Sequence, residues 1–157
     1  MIKINLGSGQ DYREGYVNVD DGSIFDLKRD VTADIFDYEL PPESVDEILL
    51  SHVAMYIRPD EIEPLLLRWY GWLKVGGKIE IETIDIEKVM RIALDGYSSD
   101  EWGIVNLFGT KETCPHRWGW RQDKLIEKLT TAGFVSIIKL DGEKKPNRDY
   151  KLIATKK

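Results

Sequence analysis

A glycine turn and a pair of acids near the N-terminus have the spacing of a nucleotide-type binding site. Gly7, Ser8 and Gly9 follow one short apolar segment, and Asp20 and Asp21 end the next. Glycines let backbone N–H groups approach a ligand closely, and an aspartate at a strand end can accept hydrogen bonds from both hydroxyls of a ribose. Each feature alone is common in ordinary turns. Together they predict a site for a nucleotide-like cofactor.

The two histidines of the chain are the candidates for proton transfer. His52 follows the apolar segment "EILLS", and His116 lies in "CPHRWGW". Imidazole titrates near neutral pH and is the commonest general base. A hydrogen-bonded loop histidine and a packed tryptophan cluster are the structural alternatives for these positions. Cys114 and His116 could contribute to a metal site, but a closed site needs about four ligands, so no metal is predicted.

Size and composition indicate a single ordinary domain over residues 1–157. The chain has a net charge of −6 and one cysteine, so no internal disulfide can form. The negative charge argues against a broad nucleic-acid surface. We find no apolar run long enough for a membrane span and no signal peptide, which favours a cytoplasmic protein without a membrane partner.

Hydrophobic periodicity predicts the elements that position these residues. Strands are expected over 2–6, 16–19, 45–51, 78–84, 134–140 and 150–155, and helices over 60–73, 86–96 and 121–132. Asp60 and Glu63 have capping-box spacing, Gly76 and Gly77 are expected to end the first helix, and Asp85 is expected to cap the second. Residues 96–119 are rich in glycine and tryptophan and are expected to be an irregular segment that serves as a lid or acceptor segment.

This element order predicts an α/β fold with a Rossmann-like open twisted sheet. The sheet is mostly parallel and has an antiparallel hairpin at its C-terminal edge. About ten residues separate the first two strands, so the first crossover helix is expected to be missing or very short. Several strands alternate apolar and polar residues. One face of the sheet is therefore expected to carry few helices, and its polar residues to meet solvent, a second subunit or residues 96–119.

The chain resembles the small class I S-adenosylmethionine-dependent methyltransferases. The resemblance runs in order through "NLGSG…GYVNVD", "TADIFDYELPPESVDEILLSHVAMYI", "WLKVGGKIEIETID", "HRWGWRQDKLIEKLTTAGF" and "RDYKLIATKK". It covers nearly the whole chain. Five motifs in the right order are fairly specific for the fold and for the cofactor S-adenosylmethionine. They are not specific for the substrate.

The resemblance implies a role for each matching residue. Gly7 and Gly9 would lie against the methionine end of the cofactor, and Asp20 would bind the ribose hydroxyls. Ser51 and His52 would lie where the methyl group meets its acceptor, and the segment around His116 would help to close the acceptor pocket. The full set of cofactor-binding candidates is Asn5, Gly7, Ser8, Gly9, Asp20, Asp21, Asp34, Ile35 and Ser51, with Asp34 near the adenine amino group and Ile35 on the adenine ring.

The sequence also departs from the family pattern. Asn5 stands where an acid usually precedes the first glycine, and Asp11 stands at the usual third glycine. "HVAMYI" replaces the common "HVLEHI", which removes an acid and a histidine. An adenosyl–methionine ligand has no phosphates and so does not need a helix N-terminus to bind them. A short loop in place of the helix therefore disfavours NAD.

The predicted function is methyl transfer to a small-molecule or saccharide-like acceptor by in-line displacement. If the acceptor is a hydroxyl, His116 or His52 would act as the base. A non-catalytic module that binds the cofactor or a protein partner is the alternative, and a Rossmann-like enzyme with another nucleotide is a third possibility. The polar sheet face also suggests a homo-oligomer.

Overall fold

A seven-stranded sheet forms the centre of the structure. The structure is a computed structural model that describes residues 1–23, 27–95, 100–110, 114–143, 145 and 147–157. The strands are β1 (Lys3–Leu6), β2 (Val17–Asp20), β3 (Val31–Thr32), β4 (Val45–Ser51), β5 (Leu73–Ile84), β6 (Gly109–Thr110), β7 (Cys114–Pro115), β8 (Phe134–Asp141) and β9 (Asp149–Lys156). The helices are α1 (Pro59–Trp72), α2 (Ile86–Leu94), α3 (Asp100–Phe108) and α4 (Gln122–Thr131), with a 3₁₀ turn over Ala54–Tyr56.

The strand order confirms the predicted fold class. The strands lie in the order β3-β2-β1-β4-β5-β9-β8. The first five are parallel, and β9 and β8 are antiparallel additions at the edge. The chain moves outward from β1 to β3 and then returns to the other side of β1 with β4. Ligands of open α/β sheets bind at such a reversal, outside the carboxyl ends of the strands.

The connection between β1 and β2 contains no helix, as the sequence predicted. Ten residues, 7–16, join the two strands. Because β1 and β2 are direct neighbours in the sheet, turns alone can cover the distance between them. The Ser8 amide donates to the Val19 carbonyl oxygen at 3.0 Å, and the Asp11 amide to the Ser8 carbonyl oxygen at 2.6 Å. These bonds fold the connection against the end of the sheet.

The apolar face of the sheet carries α1 and α4 and holds the core. The helical stripe predicted for α1 is buried, and Ile62, Leu66 and Trp69 have no exposed surface. These side chains belong to one cluster with Ile4 and Ile48 of the sheet. Because burial of apolar surface is the dominant favourable contribution to folding, this face fixes the sheet that carries the site.

The polar face of the sheet is more closely covered than the sequence suggested. Asn5 and Asn18 are almost fully buried, and each binds the connection between β1 and β2. The side-chain amide of Asn5 donates from Nδ2 to the Asp11 carbonyl oxygen at 2.7 Å, and that of Asn18 donates to the Arg13 carbonyl oxygen at 2.9 Å. This part of the polar face is therefore covered by the loop that replaces the first crossover helix, and not by residues 96–119.

Charged side chains on the rest of this face are paired. Lys3 lies 3.2 Å and Lys78 3.4 Å from the Glu47 carboxylate. Lys151 lies 2.7 Å from Glu80, although Lys151 is almost fully buried. Pairing is what makes burial of such charges tolerable.

Several predicted boundaries were wrong. Helix α1 begins at Pro59, and its capping contact is from the Arg58 amide to the Glu61 carboxylate at 2.9 Å, not an Asp60–Glu63 box. Gly76 and Gly77 do not end the helix, because β5 starts at Leu73 directly after it. A register shift between β4 and β5 takes up the extra residues there.

Residues 96–119 are not irregular throughout. Their described part contains α3 and the short antiparallel pair of β6 and β7. The apolar residues of α3 do not have the spacing of an amphipathic helix, so this helix could not be predicted from the sequence. Strand β3 was also not predicted, because two residues are too few for a periodic pattern. Among the described residues, no helix has both the length and the apolar character that a membrane span requires.

Candidate functional site

A cavity of about 880 Å³ lies at the carboxyl ends of the parallel strands. Residues at the ends of β2, β4 and β5 and in the segments after β1 to β4 form part of its wall. The 3₁₀ turn, the end of α3, the β6–β7 pair and the segment before β9 form the rest. This volume falls in the range of small-molecule and cofactor sites. The cavity is therefore at the edge of the sheet where the sequence predicted ligand binding.

The glycine turn after β1 forms one wall of the cavity. Gly7 and Gly9 have positive φ angles of 65° and 41°, which side chains disfavour. A Cβ atom on Gly7 would also lie 2.7 Å from Cγ2 of Val53. Ser8 lines the cavity, and its buried hydroxyl has no hydrogen-bond partner among the described residues. A buried polar atom without a partner is costly, and a ligand in the cavity could supply one.

The acid at the end of β2 is in direct contact with the glycine turn. One carboxylate oxygen of Asp20 accepts the Gly9 amide at 2.9 Å, and the other accepts the Gly22 amide at 2.8 Å. Asp21 lines the same end of the cavity and accepts hydrogen bonds from the amide and hydroxyl of Ser23. Carboxylate oxygens can accept more than one hydrogen bond, so Asp20 can hold the turn and still accept from a ligand.

The remaining candidates for cofactor binding divide into two groups. Asp34, Ile35 and Ser51 line the cavity. The Asp34 carboxylate accepts the Phe36 amide at 2.9 Å, and Ile35 packs on the core while it contributes to the wall. Asn5 is not in the wall. Its side chain lies on the polar face of the sheet and holds the loop at Asp11.

His52 follows directly after β4, which lies beside β1 and its glycine turn. Its backbone has a φ of +59°, which is uncommon for a residue other than glycine. The His52 amide donates to the Glu82 carbonyl oxygen at 2.8 Å. In the side chain, Nε2 lies 2.8 Å from Oδ2 of Asp149, and Nδ1 lies 3.4 Å from the hydroxyl of Ser51.

A network behind His52 fixes the Asp149 carboxylate. Asp149 has no exposed surface. Arg148 donates from Nε to Oδ1 at 2.5 Å and from Nη2 to Oδ2 at 2.9 Å, and its Nη1 donates to Asn106 of α3 at 2.9 Å. Burial raises the pKa of the Asp149 carboxyl, but the hydrogen bonds and charges of His52 and Arg148 outweigh burial and hold the pKa below its ordinary value. Asp149 is therefore a carboxylate at neutral pH.

His116 lies in the wall of the same cavity, on the β6–β7 side. Burial lowers the pKa of its imidazole below the ordinary value and outweighs hydrogen bonds to the backbone of Asn106 and Leu107, which raise it. The nearby charges of Arg148 and His52 lower it further. The ring also contacts Tyr56 edge-on, with centroids 5.6 Å apart. Both histidines thus line one cavity. The His116 amide also donates to the Phe108 carbonyl oxygen at 2.9 Å, which connects the β6–β7 pair to α3.

Three groups at the His52 end have the proximity of metal ligands. His52, Glu82 and Asp149 each offer one ligand atom, and these atoms lie within 4.8 Å of one another. Arg148, however, binds both oxygens of Asp149, and Lys151 lies 3.7 Å from the Glu82 carboxylate. A divalent cation would have to displace the guanidinium, so this arrangement favours proton transfer over metal binding.

Sequence reasoning missed the residues that surround His52. Asp149, Arg148, Asn106 and Tyr56 were not predicted as site residues. Asp149 and Arg148 lie at the end of a segment with turn composition, and Asp149 is 97 positions from His52. Asp149 and His52 meet because β9 pairs with β5. The one sequence signal for this contact was an acid at the first position of the final strand.

The fold is that of the class I S-adenosylmethionine-dependent methyltransferases. Superposition on an S-adenosylmethionine-dependent methyltransferase from Archaeoglobus fulgidus gives a TM-score of 0.69 at 16% identity, over 98% of this chain and 85% of that one. A possible histamine N-methyltransferase from Thermotoga maritima gives 0.66 at 16% identity, over 99% and 82%.

A third structure, a phosphoethanolamine N-methyltransferase from Haemonchus contortus in complex with S-adenosylmethionine, gives a TM-score of 0.61 at 13% identity, over 99% of this chain and 48% of that one. No family model and no curated protein sequence matches the chain. At these identities the likeness establishes the fold alone.

Proposed function

We propose that this protein binds S-adenosylmethionine in the cavity and transfers its methyl group to a small-molecule acceptor. The observation that carries the proposal is the 2.9 Å contact between the Gly9 amide and the Asp20 carboxylate. It brings a glycine turn and a strand-end acid together at the reversal of the sheet, where nucleotide-type ligands bind. The methyltransferase fold of the structural neighbours supports the same cofactor.

The cavity residues fit the parts of this cofactor. Asp20 would accept hydrogen bonds from the ribose, and the Gly7–Gly9 turn would contact the methionine end. Ile35 would pack on the adenine ring, with Asp34 near its amino group. The Ser8 hydroxyl supports such a ligand, because it lies buried in the wall and has no hydrogen-bond partner among the described residues.

When bound, the cofactor supplies a methyl group on a positively charged sulfur, which is a good leaving group. The residues of the chain then have to align the acceptor and exclude water, and orientation alone can provide much of the rate. His52 and His116 are the candidate bases, and Tyr56 and Arg117 line the same part of the cavity. A cavity of about 880 Å³ has the size of a small-molecule site, which favours a small-molecule or saccharide-like acceptor.

Isothermal calorimetry with S-adenosylhomocysteine, S-adenosylmethionine, NAD and ATP tests the proposal. We expect the two adenosyl ligands to bind and the two phosphate-bearing nucleotides not to bind. Replacement Asp20→Ala should weaken binding of S-adenosylhomocysteine by roughly 10- to 100-fold, since a hydrogen bond to a charged group contributes about 1.5–3 kcal/mol. The control Asp37→Ala removes an exposed acid that does not line the cavity and should leave binding unchanged.

The other outcomes identify the alternatives. Preference for NAD or ATP would indicate an enzyme with another nucleotide. Binding of the adenosyl ligands without methyl transfer to a broad panel of hydroxyl, amine and thiol acceptors would favour the non-catalytic module. Equal loss of affinity in Asp20→Ala and Asp37→Ala would remove the role of Asp20.

A further inference from the structure

We propose that Asp149 is a positioning residue that holds His52 in the tautomer with its proton on Nε2, so that Nδ1 removes a proton from a hydroxyl group of the acceptor. This inference rests on the proposed function, because it names the class of acceptor for the same cavity. It assigns the base role to one of the two histidines and to one of its two nitrogens.

The contact between His52 and Asp149 decides the tautomer. Nε2 of His52 lies 2.8 Å from Oδ2 of Asp149, and that carboxylate has no exposed surface. An ionised carboxylate can only accept hydrogen bonds. If Nε2 carried a lone pair, two acceptors would face each other at 2.8 Å without water between them. A proton on Nε2 turns the same contact into a charge-assisted hydrogen bond.

Arg148 does not reverse this assignment, although its Nη2 lies 3.0 Å from Nε2 of His52. The same Nη2 donates to Oδ2 of Asp149 at 2.9 Å. Nε2–H and Nη2–H then converge on one carboxylate oxygen, which has lone pairs for both. Asn106 accepts from the other arm of the guanidinium and anchors Arg148 to α3. Both oxygens of Asp149 are thus fixed before any ligand binds.

The opposite nitrogen is left as an acceptor at the cavity. Nδ1 of His52 lies 3.4 Å from the hydroxyl of Ser51, which is at the long limit of a hydrogen bond. Ser51 and His52 both line the cavity. An acceptor hydroxyl could therefore replace Ser51 as the partner of Nδ1. The backbone supports this position, because the amide of His52 is held by the Glu82 carbonyl oxygen in an uncommon left-handed conformation.

A hydroxyl acceptor fits the proton balance of the reaction. The acceptor O–H proton moves to Nδ1 while an oxygen lone pair forms the bond to the methyl carbon. The carbon–sulfur bond breaks, and its electron pair stays on sulfur to give neutral S-adenosylhomocysteine. His52 becomes an imidazolium whose charge is stabilised by Asp149, and it then releases the proton to solvent. A thiol ionises much more readily than a hydroxyl and needs this assistance least.

Nitrogen NMR of the imidazole rings tests the proposal without any known acceptor. The chain has two histidines, so the variant His116→Gln leaves His52 as the single imidazole signal and assigns the spectrum. Above pH 8, the Nε2–H tautomer is expected for His52. In Asp149→Asn the new amide can accept from Arg148 and donate to Nε2, and the spectrum should change to the Nδ1–H tautomer. The control Asp141→Asn removes an exposed acid of β8 and should not change it.

A wild-type spectrum with the proton on Nδ1 would overturn the proposal, and so would an unchanged tautomer in a folded Asp149→Asn variant. If that variant does not fold, the wild-type tautomer still decides. With a hydroxyl acceptor from the transfer panel, Asp149→Asn should lower kcat by about 10²- to 10⁴-fold and leave the affinity for S-adenosylhomocysteine unchanged. Absence of S-adenosylhomocysteine binding in calorimetry would instead reject the proposed function, whatever the tautomer.

Discussion

At the scale of single residues, the position of the glycine turn was predicted correctly. The reason why residue 7 has to be a glycine was predicted only in part. The sequence indicates that Gly7 lets the backbone approach a ligand. The structure adds that Gly7 has a φ of +65° and that Val53 fills the space a side chain would need. Val53 is 46 positions away and packs there because β4 lies beside β1. A tertiary contact of this kind has no local sequence signal.

Replacement Gly7→Ala should therefore destabilise the protein even without a cofactor. We expect a loss of about 2 kcal/mol in the free energy of unfolding, from the left-handed backbone and from overpacking against Val53. For a chain of this size the melting temperature should fall by roughly 4–8 °C. The control Gly71→Ala lies in α1, where a Cβ meets nothing within 4 Å, and should stabilise by about 0.5–1 kcal/mol. An unchanged melting temperature for Gly7→Ala would contradict the packing argument.

At the scale of elements, the local sequence predicted the presence of helices better than it predicted the residues at which they begin and end. Asp85 was predicted as the cap of α2, and its carboxylate accepts the amides of Glu87 and Lys88. The capping contact of α1 was misplaced by two residues, because several acids in "RPDEIE" could serve. The helix α3 was missed because its apolar residues have no clear helical spacing. A helix cap can be predicted from the sequence when one residue alone could serve as the cap. A helix that is stabilised mainly by tertiary packing cannot be predicted in this way.

Opposite effects are expected for two acids at the two ends of α2. Asp85→Ala removes the N-cap and should lower the free energy of unfolding by about 1 kcal/mol. Asp95 follows the last residue of the helix, where a negative charge opposes the helix dipole, so Asp95→Ala should be neutral or stabilise by about 0.3–1 kcal/mol. Urea unfolding monitored by circular dichroism measures both. Equal destabilisation by the two variants would mean that the acids act through general charge rather than through the cap.

At the scale of the whole molecule, strand alternation predicted a sheet with one thinly covered polar face, but this face is closely covered and Asn5 and Asn18 are almost fully buried on it. The order of the strands brings the residues of the cavity together. The sequence indicates that the sheet is mostly parallel and ends in an antiparallel hairpin. It does not show that β9 inserts between β5 and β8, and that insertion alone places Asp149 against His52. The part of the cavity around the glycine turn and Asp20 is formed by neighbouring strands, and the sequence predicted that these residues lie together. The part around His52 and Asp149 depends on long-range strand pairing and was not predicted. Self-association over the polar face stays a prediction.

The half-buried His116 should make the stability of the whole molecule depend on pH near neutrality. Its pKa is lowered in the folded state, chiefly by burial, so the unfolded chain binds a proton first as the pH falls. Stability is therefore expected to decrease as the pH falls through about 6.5, the ordinary value for histidine. His116→Gln removes this part of the dependence, so the wild type should lose more stability than the variant between pH 8 and pH 5.5. Parallel curves would show that His116 does not contribute.

Mapping of the bound cofactor on the backbone is the most direct test of the central claim, which is that the glycine turn and the acid after β2 hold one adenosyl ligand. Amide NMR spectra of the protein titrated with S-adenosylhomocysteine report every contacted N–H group. We predict that the largest shifts occur at Gly7–Gly9, at Asp20 and Asp21, and at Asp34 and Ile35, with smaller shifts at Ser51 and His52. Saturating ligand that leaves the signals of Gly9 and Asp20 unmoved, or that shifts residues outside the cavity instead, would contradict the account.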